Sequence, residues 1–261
     1  MIFYKTHDEI EFIRNSSLLV SRALAEVAKY IKPGVTTLTL DKVGEEFIRD
    51  NRGYPAFLGY RGFPNSLCIS VNEEVVHGLP GSILLKEGDL VSIDCGVLLD
   101  KFYGDSAFTF AVGDITEVKR QLLSVTRESL NLGVNQAKIG KRIGDIASTI
   151  QHHVERNGFS VVRELVGHGL GKKLHEDPEV PNYGKRGTGT KLMEGLVIAI
   201  EPMVNMGKKS VRQAEDGWTI FTEDRSPSAH FEHTVAITKD GPEVLTTFDY
   251  IEEVIHENAV T

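Results

Sequence analysis

Cysteine is scarce: two residues, Cys68 and Cys95, in 261. Two cysteines cannot form a disulfide framework, and they fit a reducing, cytoplasmic setting. There is no apolar run long enough to span a bilayer as a helix. The first residues, Met-Ile-Phe-Tyr-Lys-Thr-His-Asp-Glu, carry charge too early for a cleavable signal, and no apolar core follows them. Positive charge is not in excess either. Lys and Arg total 29 against 37 Asp and Glu, for a net charge of −8, which argues against a nucleic-acid binder. No low-complexity tract, charge block or linker divides the chain. Residues 1–261 therefore read as one large domain or two intimate halves, long enough to bury a sizeable core.

What the sequence does have is an acid where acids are costly. Leu90 to Phe110 reads as two strands folded back on each other, with Val91, Ile93 and Val97 in the first, Phe108 and Phe110 in the second, and a turn at Leu99-Asp100-Lys101. Asp94 lies in the middle of the first apolar strand, where a lone carboxylate is expensive. A turn centred between Leu99 and Asp100 sets Asp94 directly opposite Asp105, with Cβ atoms roughly 4.5–5.5 Å apart. Two like charges that close require a shared proton or a cation between them.

The rest of the chain offers two rounds of the same order. Thr6-His-Asp-Glu9 is a capping box, and Ile10, Ile13, Val20, Leu24, Val27 and Ile31 follow at helical spacing up to Pro33-Gly34. A second helix runs from about Thr39 to Asn51, and a short strand covers Leu67 to Val71. Past Gly113 the pattern restarts, with helices over about Thr116–Leu132 and Arg142–Asn157 and a strand near Ser160–Leu165. Glu87-Gly88-Asp-Leu-Val-Ser-Ile-Asp94 is echoed by Glu194-Gly195-Leu-Val-Ile-Ala-Ile-Glu201. Two similar halves follow, about 1–113 and 114–261, each with helices and an antiparallel sheet, and a site in the crevice between them. The expected class is α+β.

Glu201, like Asp94, ends an apolar run with no Lys or Arg beside it in sequence. His168 lies in Gly167-His-Gly-Leu-Gly171, whose alternating glycines suit tight loop backbone around an exposed imidazole and not a phosphate cradle. Glu232 heads the apolar run Phe231 to Thr238. Asp94, Asp105, His168, Glu201 and Glu232 make an oxygen-rich set with one nitrogen, suited to hard or borderline divalent ions. Four carboxylates overbalance one ion, so two are expected. Spacing alone leaves many other selections among 37 acidic residues. His7, His152, His153, His230, His233 and His256 read as surface or structural. Cys95 reads as core, and Trp218 as a loop aromatic unless the crevice claims it.

These motifs together resemble type I methionine aminopeptidases, whose fold is the pita-bread fold of two pseudo-symmetric halves. The resemblance rests on Leu58-Gly-Tyr-Arg-Gly-Phe-Pro-Asn-Ser-Leu-Cys-Ile-Ser-Val-Asn-Glu73, Ile93-Asp-Cys-Gly, Tyr103-Gly-Asp105, Gly167-His-Gly-Leu-Gly, His175-Glu-Asp-Pro, Ile200-Glu-Pro-Met and Phe231-Glu-His-Thr. It implies removal of an N-terminal methionine when the second residue is small. Asp105 and Glu232 would bridge two ions of Co, Mn, Fe or Zn, with Asp94 on one ion and His168 and Glu201 on the other. Glu201 would also move a proton, His175 would stabilise the oxyanion, and His77 would contact substrate near the scissile amide. Tyr60, Phe63, Cys68 and Trp218 would form the methionine pocket, edged by His77. Implied partners are nascent polypeptides and the ribosome, with no membrane and no specific nucleic-acid binding. Leu174 and Phe63 depart from the aromatic and the Tyr expected there. The alternatives are a prolidase or Xaa-Pro aminopeptidase and a non-catalytic binding protein on the same scaffold.

Overall fold

The Leu90–Leu99 and Phe102–Ala111 strands pair antiparallel along their whole length, but not in the expected register. Asp94 stands opposite Ala107, and Asp105 opposite Gly96. The turn is only two residues, because Leu99 stays in the strand. Asp100 and Lys101 both take left-handed backbone, with φ of 50° and 71°, the combination that matches the twist of a tight hairpin. A slip of two keeps both acids on one face. They are diagonal rather than facing neighbours.

The computed structural model describes residues 1–260, with side chains through residue 256. Helix α1 (His7–Ala28) carries both bonds of the capping box: the Glu9 amide donates to Thr6 Oγ1 and the Thr6 amide donates to Glu9 Oε2. It stops before Pro33, because Lys29, Tyr30 and Ile31 donate to carbonyls only three residues back and tighten the last turn. Ile31 thus lies outside the helix. Helix α2 (Thr37–Asp50) starts two residues earlier than its periodicity suggests, since Thr36 is the cap and accepts from Thr39. Helices α3 (Glu117–Val134) and α4 (Ile143–Arg156) pack against each other, and α5 spans Asp249–Val260. The strand near residue 160 is only Ser160–Val161: the Val162 amide still donates to the Met203 carbonyl, and beyond it Glu164, Leu165 and Val166 line the crevice.

All the ladders are antiparallel. In the first part, Leu90–Leu99 is flanked by Phe102–Ala111 on one edge and by Cys68–Val71 and Tyr54–Pro55 on the other. In the second, His233–Thr238 pairs with Val197–Ile200, which pairs with Gly167–Gly169. The local geometry repeats. Gly34 and Gly140 both sit at φ +88° before α2 and α4. Thr36 bridges to Leu84 as Arg142 bridges to Lys191. Asn51 and Asn157 close the two helices by donating to the carbonyls of Phe47 and His153. Gly88 and Gly195 are left-handed ahead of the strands that lead to Asp94 and Glu201.

One main apolar cluster runs through both parts, from Leu19 in α1 to Val254 in α5. The sheets meet along a polar seam. The Glu232 amide donates to the Ala107 carbonyl at 2.9 Å, and the Ser106 hydroxyl donates to the Glu232 carbonyl at 2.7 Å. Thr234 Oγ1 donates to the Asp105 carbonyl at 2.7 Å. These bonds fix two acids, Asp105 and Glu232, against each other at the base of the crevice. Among the described residues, no helix is long and apolar enough to cross a membrane.

Candidate metal centre

The five residues singled out in the sequence converge. Asp94, Asp105, His168, Glu201 and Glu232 all line one cavity of about 280 Å³. Asp105 and Glu232 are 3% and 2% exposed. Asp105, His168 and Glu232 each offer an atom within 4.8 Å of the others. His168 Nε2 lies 3.8 Å from Asp105 and 3.7 Å from Glu201.

His168 is not on a loop. It sits in the Gly167–Gly169 strand, at a register shift in the ladder. The flanking glycines serve close approach rather than a turn: a Cβ on Gly167 would collide with the Ala199 carbonyl, and one on Gly169 with that of Asp177. His168 Nδ1 is 2.9 Å from the Gly169 carbonyl, which directs Nε2 at the acids.

The acids lack partners of their own. Asp94 Oδ1, Asp105 Oδ1 and Glu232 Oε1 are buried with no hydrogen bond. Among the described residues, no Lys or Arg comes within 4 Å of the cluster; only imidazoles do. Burial raises Asp94 and Glu201 to about 7. Burial, followed by the neighbouring acids, holds Asp105 and Glu232 well above the ordinary carboxylate range. A cluster in that state needs protons or cations, and oxygen donors with imidazole suit divalent metals. The residues fit such ions.

One wall of the same cavity is aromatic and apolar. Phe63 meets Trp218 edge-on at 5.1 Å, and Tyr60 stacks on His175 at 5.2 Å. Cys68, 5% exposed, lies in the same cluster as Phe57, Phe63 and Leu174. Its thiol is pushed up by burial and then by Asp94, so it is a neutral, soft wall. Trp218 is thus claimed by the crevice. Phe57 lines it too and was not legible as a site residue, since nothing separates it in sequence from a core aromatic.

His175 stands at the exposed mouth, 4.1 Å ring to ring from His168. His77 is half-buried and holds left-handed backbone at φ +57°. That conformation costs a non-glycine residue about 1–2 kcal/mol, and it brings the ring to the cavity. Desolvation, and then nearby imidazoles, keep both histidines neutral, with His77 at about 4. His230 reads as surface or structural in sequence, but it is 1% exposed and lines the cavity. His233 is structural, as expected: its Nδ1 is 2.7 Å from Thr246 Oγ1, and its ring stacks on Phe248.

A crevice floored by orphaned acids beside an aromatic wall defines a metal-dependent hydrolase, and its scaffold is the pita-bread fold. The chain belongs to metallopeptidase family M24, whose profile matches residues 11–239. It is 52% identical to a methionine aminopeptidase of Clostridium perfringens over 246 residues, covering 94% of this chain and 99% of that one. It is 49% identical to methionine aminopeptidase 1 of Bacillus subtilis over 246 residues, covering 94% and 99%. Among solved structures, methionine aminopeptidase from Thermotoga maritima matches with a TM-score of 0.93 at 48% identity, covering 95% of this chain and 100% of that one. A prolidase from Pyrococcus horikoshii shares the fold at TM-score 0.76 and 23% identity, and this chain covers only 64% of it.

Proposed function

We propose that the chain hydrolyses the first peptide bond of polypeptides that begin with methionine. The observation that carries this reading is one cavity that joins unpartnered acids to a soft aromatic pocket. In this reading Asp94, Asp105, His168, Glu201 and Glu232 would hold two divalent ions. Carboxylate and imidazole accept Co, Mn, Fe or Zn, and availability selects among them. When bound, the ions lower the pKa of water and polarise the scissile carbonyl.

The protein groups do the rest. Tyr60, Phe63, Cys68 and Trp218 surround the thioether side chain, which adapts to aromatic faces and a thiol. Glu201 takes the proton released by the attacking water and passes it to the leaving amine. His175, neutral, donates N–H to the developing oxyanion. His77 faces the scissile amide and orients it. A bulky second residue would meet the wall beyond the cleaved bond, so small second residues are favoured. Substrates are then nascent chains met in the cytoplasm, at or near the ribosome, and residues 1–261 act as one catalytic domain.

The test is release of methionine from Met-Gly-Met-Met by metal-loaded protein, run beside an Xaa-Pro peptide. Faster turnover of Met-Gly-Met-Met is expected. Preference for the Xaa-Pro peptide would move the chain to the prolidase side, and no turnover with any divalent ion would favour a binding protein.

A further inference from the structure

One buried histidine at the cavity has no role in the chemistry above. His230 ends the Ser228–His230 strand, two residues before Glu232. Thr109 holds its backbone twice. The His230 amide donates to Thr109 Oγ1 at 2.8 Å, and that hydroxyl donates to the His230 carbonyl at 2.7 Å. Ser92 Oγ stands 2.8 Å from the same Thr109 oxygen and fixes it in turn. The residue is therefore set in place from the backbone, while its ring lines the cavity beside His77, Asp94 and Glu201.

The ring is anchored but unsatisfied. His230 Nε2 is buried and has no hydrogen-bond partner. Leaving a buried polar atom unpaired costs about 1–3 kcal/mol. His233, three residues on and also buried, shows what a structural histidine does here: it finds a hydroxyl and an aromatic face. His230 instead points Nε2 at Glu201 Oε2 across 3.7 Å. On the other side of that carboxyl, His168 Nε2 faces Oε1 across the same 3.7 Å. Glu201 thus stands between two imidazoles, one to each oxygen, at gaps too long for hydrogen bonds.

We propose that His230 is a nitrogen ligand of the metal centre, placed across Glu201 from His168. This rests on the reading that the acids hold divalent ions. Two donors each ~2.1 Å from one ion stand roughly 3.0–3.4 Å apart at tetrahedral to octahedral angles. The observed gap closes with a few tenths of an ångström of side-chain motion. A second imidazole makes the centre softer. It shifts preference toward Co, Fe and Zn and away from Mn and Mg, which favour oxygen.

The test is metal binding without peptide. Co(II) and Mn(II) affinities are measured by calorimetry for wild type and His230→Gln, with the visible absorption of the Co(II) forms. His230→Gln should bind Co(II) about tenfold or more weakly while its Mn(II) affinity stays nearly the same, and the Co(II) bands should shift. Unchanged Co(II) affinity and spectrum would overturn the proposal and leave His230 bonded to water alone. Should the variant misfold, Co(II)-loaded wild type gives the answer by proton NMR. Hyperfine-shifted imidazole N–H signals from two histidines are expected; one signal would overturn the assignment. Wild type that takes up no ion at all would sink the metal reading as a whole, which separates the two failures.

Discussion

Glu201→Gln in metal-free protein should make the chain more stable, not less. The Glu201 side chain is 13% exposed, the only basic groups within 4 Å of its carboxyl among the described residues are imidazoles, and burial raises it from 4.5 to about 7. A carboxyl raised in the folded state binds its proton more tightly folded than unfolded. Its contribution is therefore complete below pH 4.5 and is lost as pH climbs through about 7. At ~1.4 kcal/mol per pH unit, the loss at pH 8 is about 3 kcal/mol. Glutamine has the same shape and never ionises, so the variant keeps that stability. Stripped of metal, it should melt roughly 6–12 °C above wild type at pH 8, and the gap should close by about pH 4.5. Saturating Mn(II) should invert the order, because a ligand that binds only the folded state stabilises the better binder. Scanning calorimetry of chelator-dialysed proteins, with and without metal, reads all three. A metal-free Glu201→Gln protein less stable than wild type at pH 8 would refute the reasoning, since Glu201 would then have its charge satisfied by the protein.

Asp94→Asn should weaken metal uptake while the fold survives, because Asn fills the same strand position; equal metal content by elemental analysis would remove Asp94 from the centre. His175→Ala should lower kcat about 10²–10³-fold with little change in KM; a change in KM alone would make it a substrate contact. Trp218→Ala opens the wall that Phe63 packs against edge-on and should raise KM for methionyl peptides about tenfold, against small effects on melting. Thr109→Val leaves the His230 amide and carbonyl unpaired in the seam and should cost about 1–3 kcal/mol in urea unfolding.

The acids were legible because burial of a carboxylate is itself a signal: Asp94 and Glu201 interrupt apolar strands. The hairpin register was not, because the turn needed two left-handed residues. Leu99-Asp100-Lys101 contains neither Asn-Gly nor any glycine to mark which two bend. The helix start at Thr6 was readable from capping chemistry, whereas the cap at Thr36 was passed over for the apolar spacing after Thr39, and the end of α1 was set by three-residue-back bonds that leave no sequence mark. His168 was singled out in the sequence for a partly wrong reason. Its glycines are there so that neighbouring backbones can touch, which is visible only once the strands are side by side. His230 and Phe57 look like any other histidine and phenylalanine in sequence. Their burial at the crevice comes from the seam between the sheets, a long-range contact that no local pattern encodes.

Anomalous scattering from crystals soaked in Mn(II) tests the central claim most directly. The account predicts strong peaks inside the crevice, between Asp105 and Glu232 and within reach of Asp94, His168 and Glu201. An empty crevice, with manganese bound only at surface acids, would contradict it.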